Sequence, residues 1–108
     1  RLSPRDPLLF VADSWSALGH YVLENYEQTL EWCHRSLRQN KDFIYTLVTM
    51  LAAYGQLERK EEAQKCLQHL LTLVPEPSEQ FVRMCYPFPE QALIERFLEG
   101  LKKAGVPL

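Results

Sequence analysis

The chain has little of several residue types that mark common functional classes. Only four glycines occur among its 108 residues and they form no cluster, which excludes a glycine-rich phosphate-binding loop. The three cysteines, Cys33, Cys66 and Cys85, are an odd number at wide spacing, which excludes a disulfide framework and favours a reducing cytoplasm. No apolar stretch reaches the roughly 18 residues of a membrane helix. Because 12 Lys and Arg stand against 14 Asp and Glu, the net charge is −2, and we expect neither nucleic acid nor membrane as a partner.

Apolar residues, by contrast, make up 46% of the chain, which is typical of one small folded domain. Their positions repeat. At an offset of 34 residues the chain aligns with itself and matches Phe10 with Ile44, Leu23 with Leu57, and Leu37 with Leu71. Pro7, Lys41 and Pro75 follow one another at the same spacing. A period of this length predicts a helical-repeat protein.

Apolar spacing, prolines and capping residues divide the chain into helices. The expected helices cover residues 8–23, 25–39, 42–57, 60–74, 78–86 and 90–104. Pro7 fits the first turn of the first helix. Asn25 and Ser78 are placed to act as N-caps, Asn25 with Gln28 in a capping box, and Asp42 is expected to start the third helix.

The second half of the repeat carries a family resemblance. Lys60-Glu61-Glu62-Ala63, followed by Leu67, Leu70-Leu71 and Pro75, resembles the second helix of a tetratricopeptide repeat, a motif with a 34-residue period. Thr29 and Ser36 depart from this pattern, since they stand where the family has alanine. The resemblance implies an all-α fold, an αα-hairpin superhelix (a TPR-like α-solenoid) of about two repeats plus a C-terminal capping helix.

The same resemblance divides the chain into units. Residues 1–7 would be the exit of a preceding repeat, 8–41 repeat one, 42–75 repeat two, and 76–108 a truncated third unit and capping helix, so we expect a longer parent protein. Phe97 takes the phase of Ala63, and its ring cannot fit the same close helix contact. The last helix is therefore expected to pack at a different angle and to terminate the array.

In this family the first helices of the repeats line a concave groove. Carried over by phase, the groove residues are Val11, Ser14, Leu18, Tyr21 and Val22, then Tyr45, Val48, Ala52, Gly55 and Gln56. The Lys, Asn and Arg that hold a peptide carboxylate in chaperone-binding members are absent here, so that activity is not expected. The groove is largely apolar. Either later helices cover it, or it binds a hydrophobic or amphipathic segment of a protein.

For the remaining candidate residues, a functional role is compared with a purely structural one. Cys66 and His69 share a helix face, and with His34 they are the obvious metal ligands, but their spacing matches no zinc site. We therefore expect no metal, no cofactor and no catalytic site, and place Cys33 and Cys66 in the core. The larger aromatics have no basic track beside them for stacking bases, and are expected in the helical core. These are Trp15, Trp32, Tyr45, Tyr54 and Phe97.

Nearly the whole chain is also similar to the repeats of one particular group of proteins. Several segments together resemble the C-terminal repeats of bacterial adenylate or guanylate cyclases and related signalling proteins. They are the start at 1–8, the segments 26–27, 31–32 and 37–40, the triplet Tyr86-Pro87-Phe88 and the segment 95–107. This implies a regulatory region without catalysis of its own, which binds a protein partner or forms a homodimer. The alternatives are an effector- or partner-sensing tail of a transcriptional regulator, or a free-standing scaffold.

Overall fold

Six α-helices form the described part of the chain. The computed structural model describes residues 9–86 and 88–108, and no strand occurs within them. The helices are α1 (Leu9–Val22), α2 (Tyr26–Gln39), α3 (Ile44–Gln56), α4 (Lys60–Leu73), α5 (Glu79–Cys85) and α6 (Gln91–Lys103). The predicted all-α class is therefore confirmed. The predicted exit of a preceding repeat, residues 1–7, and the first-turn position of Pro7 lie outside the described residues.

The predicted helix ends agree with these bounds to within two residues. Of the two predicted N-caps one is confirmed and one is wrong, and the predicted start of α3 lies two residues early. Ser78 caps α5 as expected, since its hydroxyl accepts a hydrogen bond from the Phe81 N–H at 3.1 Å. Asn25 precedes α2, yet its side chain makes no cap hydrogen bond, because the preceding turn sets its backbone at φ −94° and ψ 68°. Asp42 does not start α3. Phe43 is the N-cap there, and the Asp42 carboxylate lies 2.9 Å from the His69 ring.

The two helical hairpins turn in the same way. Glu24 (φ 63°) and Glu58 (φ 56°) stand 34 positions apart, and both adopt the left-handed backbone conformation. The N–H of the next residue then bonds the carbonyl five positions earlier, at 2.8 Å for Asn25 and 3.0 Å for Arg59. This is the Schellman arrangement, which ends a helix and reverses the chain. The spacing found in the sequence therefore corresponds to a repeated backbone geometry.

Small residues make the close contacts between neighbouring helices. Thr29, Ser36 and Ala63 have no exposed surface. The Ser36 hydroxyl donates to the Phe10 carbonyl at 2.8 Å and lies 2.9 Å from the Thr46 hydroxyl oxygen, so its polar atom is satisfied inside the core. Serine and threonine can thus replace alanine at these positions without leaving an unpaired hydroxyl.

The last helix returns to the first two hairpins. α6 packs chiefly on α3 and makes little contact with α5, the helix before it. The Arg96 guanidinium donates to the final carbonyls of α1, at 3.2 Å for Tyr21 and 2.6 Å for Val22. The Phe97 ring is fully buried, 5.2 Å from the Tyr21 ring and 4.6 Å from the Tyr86 ring between centroids. α6 therefore lies over the faces that α1 and α3 share.

Candidate binding cleft

α6 covers one half of the predicted groove. The Tyr21 hydroxyl and the Gln56 amide both donate to the Arg96 carbonyl at 3.0 Å. The Ala52 carbonyl lies so close to α6 that a Cβ on Gly100 would come within 2.6 Å of it. Six of the predicted groove residues lie under α6 or in the core next to it. Tyr21, Val48, Ala52 and Gly55 are buried there, and Val22 and Gln56 are half-buried.

Within the described residues, the other half of the groove is open. It forms a cleft of about 250 Å³ between α1, the N-terminal half of α3 and the end of α5. The residues that line this cleft are Val11, Ser14, Trp15, Leu18, Phe43, Tyr45, Thr49, Cys85 and Tyr86. Four of them belong to the predicted groove, and none carries a charge. The structure therefore places Val11, Ser14, Leu18 and Tyr45 together in one apolar cleft.

A second cavity of about 220 Å³ adjoins the cleft on the side of α6. Four lining residues are common to both cavities, which makes them one continuous surface. The second cavity adds Phe88 and Pro89, the residues that lead into α6. We call this combined surface the binding cleft.

Large apolar side chains stand exposed along this cleft. Trp15 is 68% exposed and Tyr45 is 45% exposed. The expectation that Trp15 and Tyr45 belong to the core is wrong, because α6 does not extend over this end of α1 and α3. Tyr54 and Phe97 are buried as expected. Exposed tryptophan and tyrosine beside a concave apolar surface are typical of protein interfaces.

Tyr86 holds the inner wall of the cleft in place. Its hydroxyl donates to the Tyr45 carbonyl and lies 3.2 Å from the Thr49 hydroxyl oxygen. Its ring meets the Tyr45 ring edge to face, with centroids 6.0 Å apart. Burial raises the pKa of this phenol well above its ordinary value, so it stays neutral. The wall is thus a fixed and uncharged aromatic surface that does not have to be ordered when a partner binds.

The residues considered for metal binding or catalysis have structural contacts instead. The Cys66 thiol points to the Leu47 carbonyl at 3.6 Å, and burial raises the pKa of this thiol to about 12. Burial likewise raises the pKa of Cys33. The His69 ring pairs with the Asp42 carboxylate. Within residues 9–86 and 88–108, no three His, Cys, Asp or Glu side chains are grouped as metal ligands.

Sequence reasoning missed the part of the cleft that comes from outside the repeat phase. The phase places α1 and α3 side by side. It makes 76–108 a truncated third unit but does not specify how that unit packs, so it could not place Cys85 and Tyr86 in the wall of the cleft. The triplet Tyr86-Pro87-Phe88 was a usable signal, because two aromatics around a proline at a helix end favour a packed, non-helical connection.

The described helices are short, the longest having 14 residues. None of those in the described ranges combines the length and the apolar character needed to cross a bilayer. Comparison of the chain with protein-family models, with curated proteins and with solved structures gives no match.

Proposed function

We propose that this chain is a protein-interaction module whose binding cleft takes an apolar segment of a partner protein. The observation that carries the proposal is an uncharged aromatic cleft that stays open beside α6, with Trp15 exposed at its edge. Exposed tryptophan next to a fixed pocket is the usual composition of an interface hot spot.

We also propose that the module is of the tetratricopeptide type. This proposal is supported by the left-handed backbone conformation at both Glu24 and Glu58, and by the 34-residue spacing between the starts of α2 and α4. The fully buried Ala63 and Thr29 occupy matching positions of these two helices, where the family requires a small residue.

The biological setting that we propose is regulatory. The segments 86–88 and 95–107 resemble the C-terminal repeats of bacterial cyclase-type signalling proteins, and this resemblance supports a partner-binding tail of a cytoplasmic signalling protein. In that setting the chain itself turns over no nucleotide. The coding sequence upstream of Arg1 tests the setting: a cyclase domain would support it, and a DNA-binding domain would move the chain to transcriptional control.

Selection of displayed peptides tests the binding function directly. Twelve-residue peptides would be selected on the wild-type chain after removal of those that bind Trp15→Ala. We expect apolar peptides whose binding survives Leu23→Ala, because Leu23 is equally exposed at the end of α1 but does not line the cleft. If no peptide distinguishes wild type from Trp15→Ala, the cleft is not a binding site.

A further inference from the structure

We propose that the segment bound in the cleft is short, extended and contains proline, in the polyproline II conformation. This inference rests on the proposed function of the cleft and names the class of its partner. Three features of the cleft favour it: the length of groove that remains open, the aromatic character of the walls, and a proline of this chain that already lies along the same surface.

The open length of the groove is too small for a helix. From Val11 to Leu18 the axis of α1 advances by about 10 Å, at about 1.5 Å per residue. A helix rises by about 5.4 Å per turn, so one laid between Val11 and Leu18 would meet α6 within its second turn. α6 is locked there by the backbone contact of Gly55 with Gly100. An extended segment at about 3.1 Å per residue fits three residues in the same length.

The walls have the composition that recognises proline. Trp15, Phe43, Tyr45 and Tyr86 line the cleft with aromatic rings, and no lining side chain is charged. Flat aromatic faces pack well on pyrrolidine rings, and a polyproline II segment is already ordered before it binds. Such a segment offers carbonyl acceptors. The Trp15 indole N–H and the Tyr45 hydroxyl, on two exposed side chains, can donate hydrogen bonds to these carbonyls.

The chain's own Pro89 lies on the same surface. Phe88 and Pro89 line the second cavity together with Trp15 and Tyr86. The connection is held there by a hydrogen bond from the Phe88 N–H to the Tyr86 carbonyl at 2.8 Å. One end of the aromatic surface thus already carries a proline. A partner proline in the adjoining cleft would continue that row.

Two fluorescein-labelled probes distinguish the partner classes by fluorescence anisotropy. One is blocked decaproline, and the other is a blocked alanine-based peptide with leucines at helical i, i+4 and i+7 spacing. We expect saturable binding of decaproline and weaker or no binding of the helical peptide. Trp15→Ala should weaken decaproline binding by about tenfold or more, as expected for a hot-spot tryptophan. Trp15→Phe keeps a ring without the N–H and should give an intermediate loss.

Leu23→Ala is the matched control and should leave decaproline binding unchanged. Since Trp15 and Leu23 are both largely exposed, far-UV circular dichroism and the unfolding midpoint should show both variants folded. Binding of the helical peptide alone, lost in Trp15→Ala, would overturn the proline preference but leave the cleft as an interaction site. Decaproline binding that is absent, or equal in wild type and Trp15→Ala, would also overturn this inference.

Discussion

Gly55 of α3 and Gly100 of α6 meet backbone to backbone, so close that a Cβ on Gly55 would overlap the Gly100 carbonyl. Glycine costs a helix interior about 0.5–1 kcal/mol relative to alanine, and both residues lie inside helices. The close approach of the two helices explains why glycine occupies both positions. It lets α6 lie deep over α1 and α3, and this position of α6 separates the covered half of the groove from the open cleft.

Gly100→Ala should therefore destabilise the fold. The new Cβ would come within 2.6 Å of the Ala52 carbonyl and 2.8 Å of the Tyr21 hydroxyl, so α6 must shift outward. We expect the free energy of unfolding in urea to fall by up to about 2 kcal/mol, which is the cost of overpacking less the gain in helix propensity. Gly19→Ala is the control: a Cβ there meets nothing within 4 Å, and stability should rise by about 0.5–1 kcal/mol. Equal effects at the two positions would contradict the close crossing.

Ala63→Leu tests the close packing of α4 in the second hairpin. Ala63 has no exposed surface, so three further heavy atoms have no space to occupy. The unfolding free energy should fall by about 1–3 kcal/mol. Gln64→Leu places the same side chain one residue away on the exposed face of α4 and should change stability by less than about 0.5 kcal/mol. An unchanged urea midpoint for Ala63→Leu would argue against the assigned register.

Glu58→Gly should stabilise the protein. Glu58 adopts φ 56° in the turn between α3 and α4, a conformation that costs most residues about 1–2 kcal/mol and glycine almost nothing. After the greater freedom of glycine in the unfolded chain is subtracted, we expect a gain of about 0.5–1 kcal/mol in thermal or urea unfolding. The opposite change, Gly105→Ala at φ 93°, should lose stability. A destabilised Glu58→Gly would mean that the Glu58 side chain contributes to the turn.

Stability should fall in alkaline solution because of the buried thiols. Burial raises the pKa of Cys33 and Cys66 above their ordinary value of 9.0, to about 12 for Cys66. Above pH 9 these thiols ionise in the unfolded chain but stay protonated in the folded one. The stability present below pH 9 is therefore lost as the pH rises toward 12. Between pH 9 and 10 we expect a loss of about 1 kcal/mol per buried thiol.

The double variant Cys33→Ala/Cys66→Ala is the control for that loss. Its stability should decline less over the same interval, by about 2 kcal/mol, because the two ionisations are absent. Tyrosines such as Tyr54, whose pKa burial raises to about 12, remain in both proteins and contribute equally. An identical decline in wild type and double variant would show that the thiols are accessible in the folded chain.

The helices could be predicted from sequence because their limits are set locally. Ser78 acts through a bond to a residue three positions away, and the structure has it as expected. Asn25 failed as a side-chain cap for a reason that sequence does not show. It is also the last residue of a Schellman turn, which takes up its N–H and bends its backbone away from the extended form that a cap needs.

The cleft could be predicted only in part. The repeat phase identifies Val11, Leu18 and Tyr45 as neighbours, because it carries the geometry of one hairpin onto the next. The repeat phase does not specify where α6 packs. The mismatch of Phe97 with Ala63 predicts that α6 departs from the repeat, but the place it occupies depends on the Gly55–Gly100 approach and on the Arg96 bonds to the end of α1.

The hydrogen bond from the Tyr21 hydroxyl to the Arg96 carbonyl spans 75 positions of the sequence. It connects α1 to α6, and since both helices also pack on α3, these three described helices hold one another in place. An open row of helices can fray from either terminus, one helix at a time. Here the removal of α6 uncovers α1 and α3 together. The amide hydrogens of α1 and α6 are therefore expected to exchange with solvent in the same opening event.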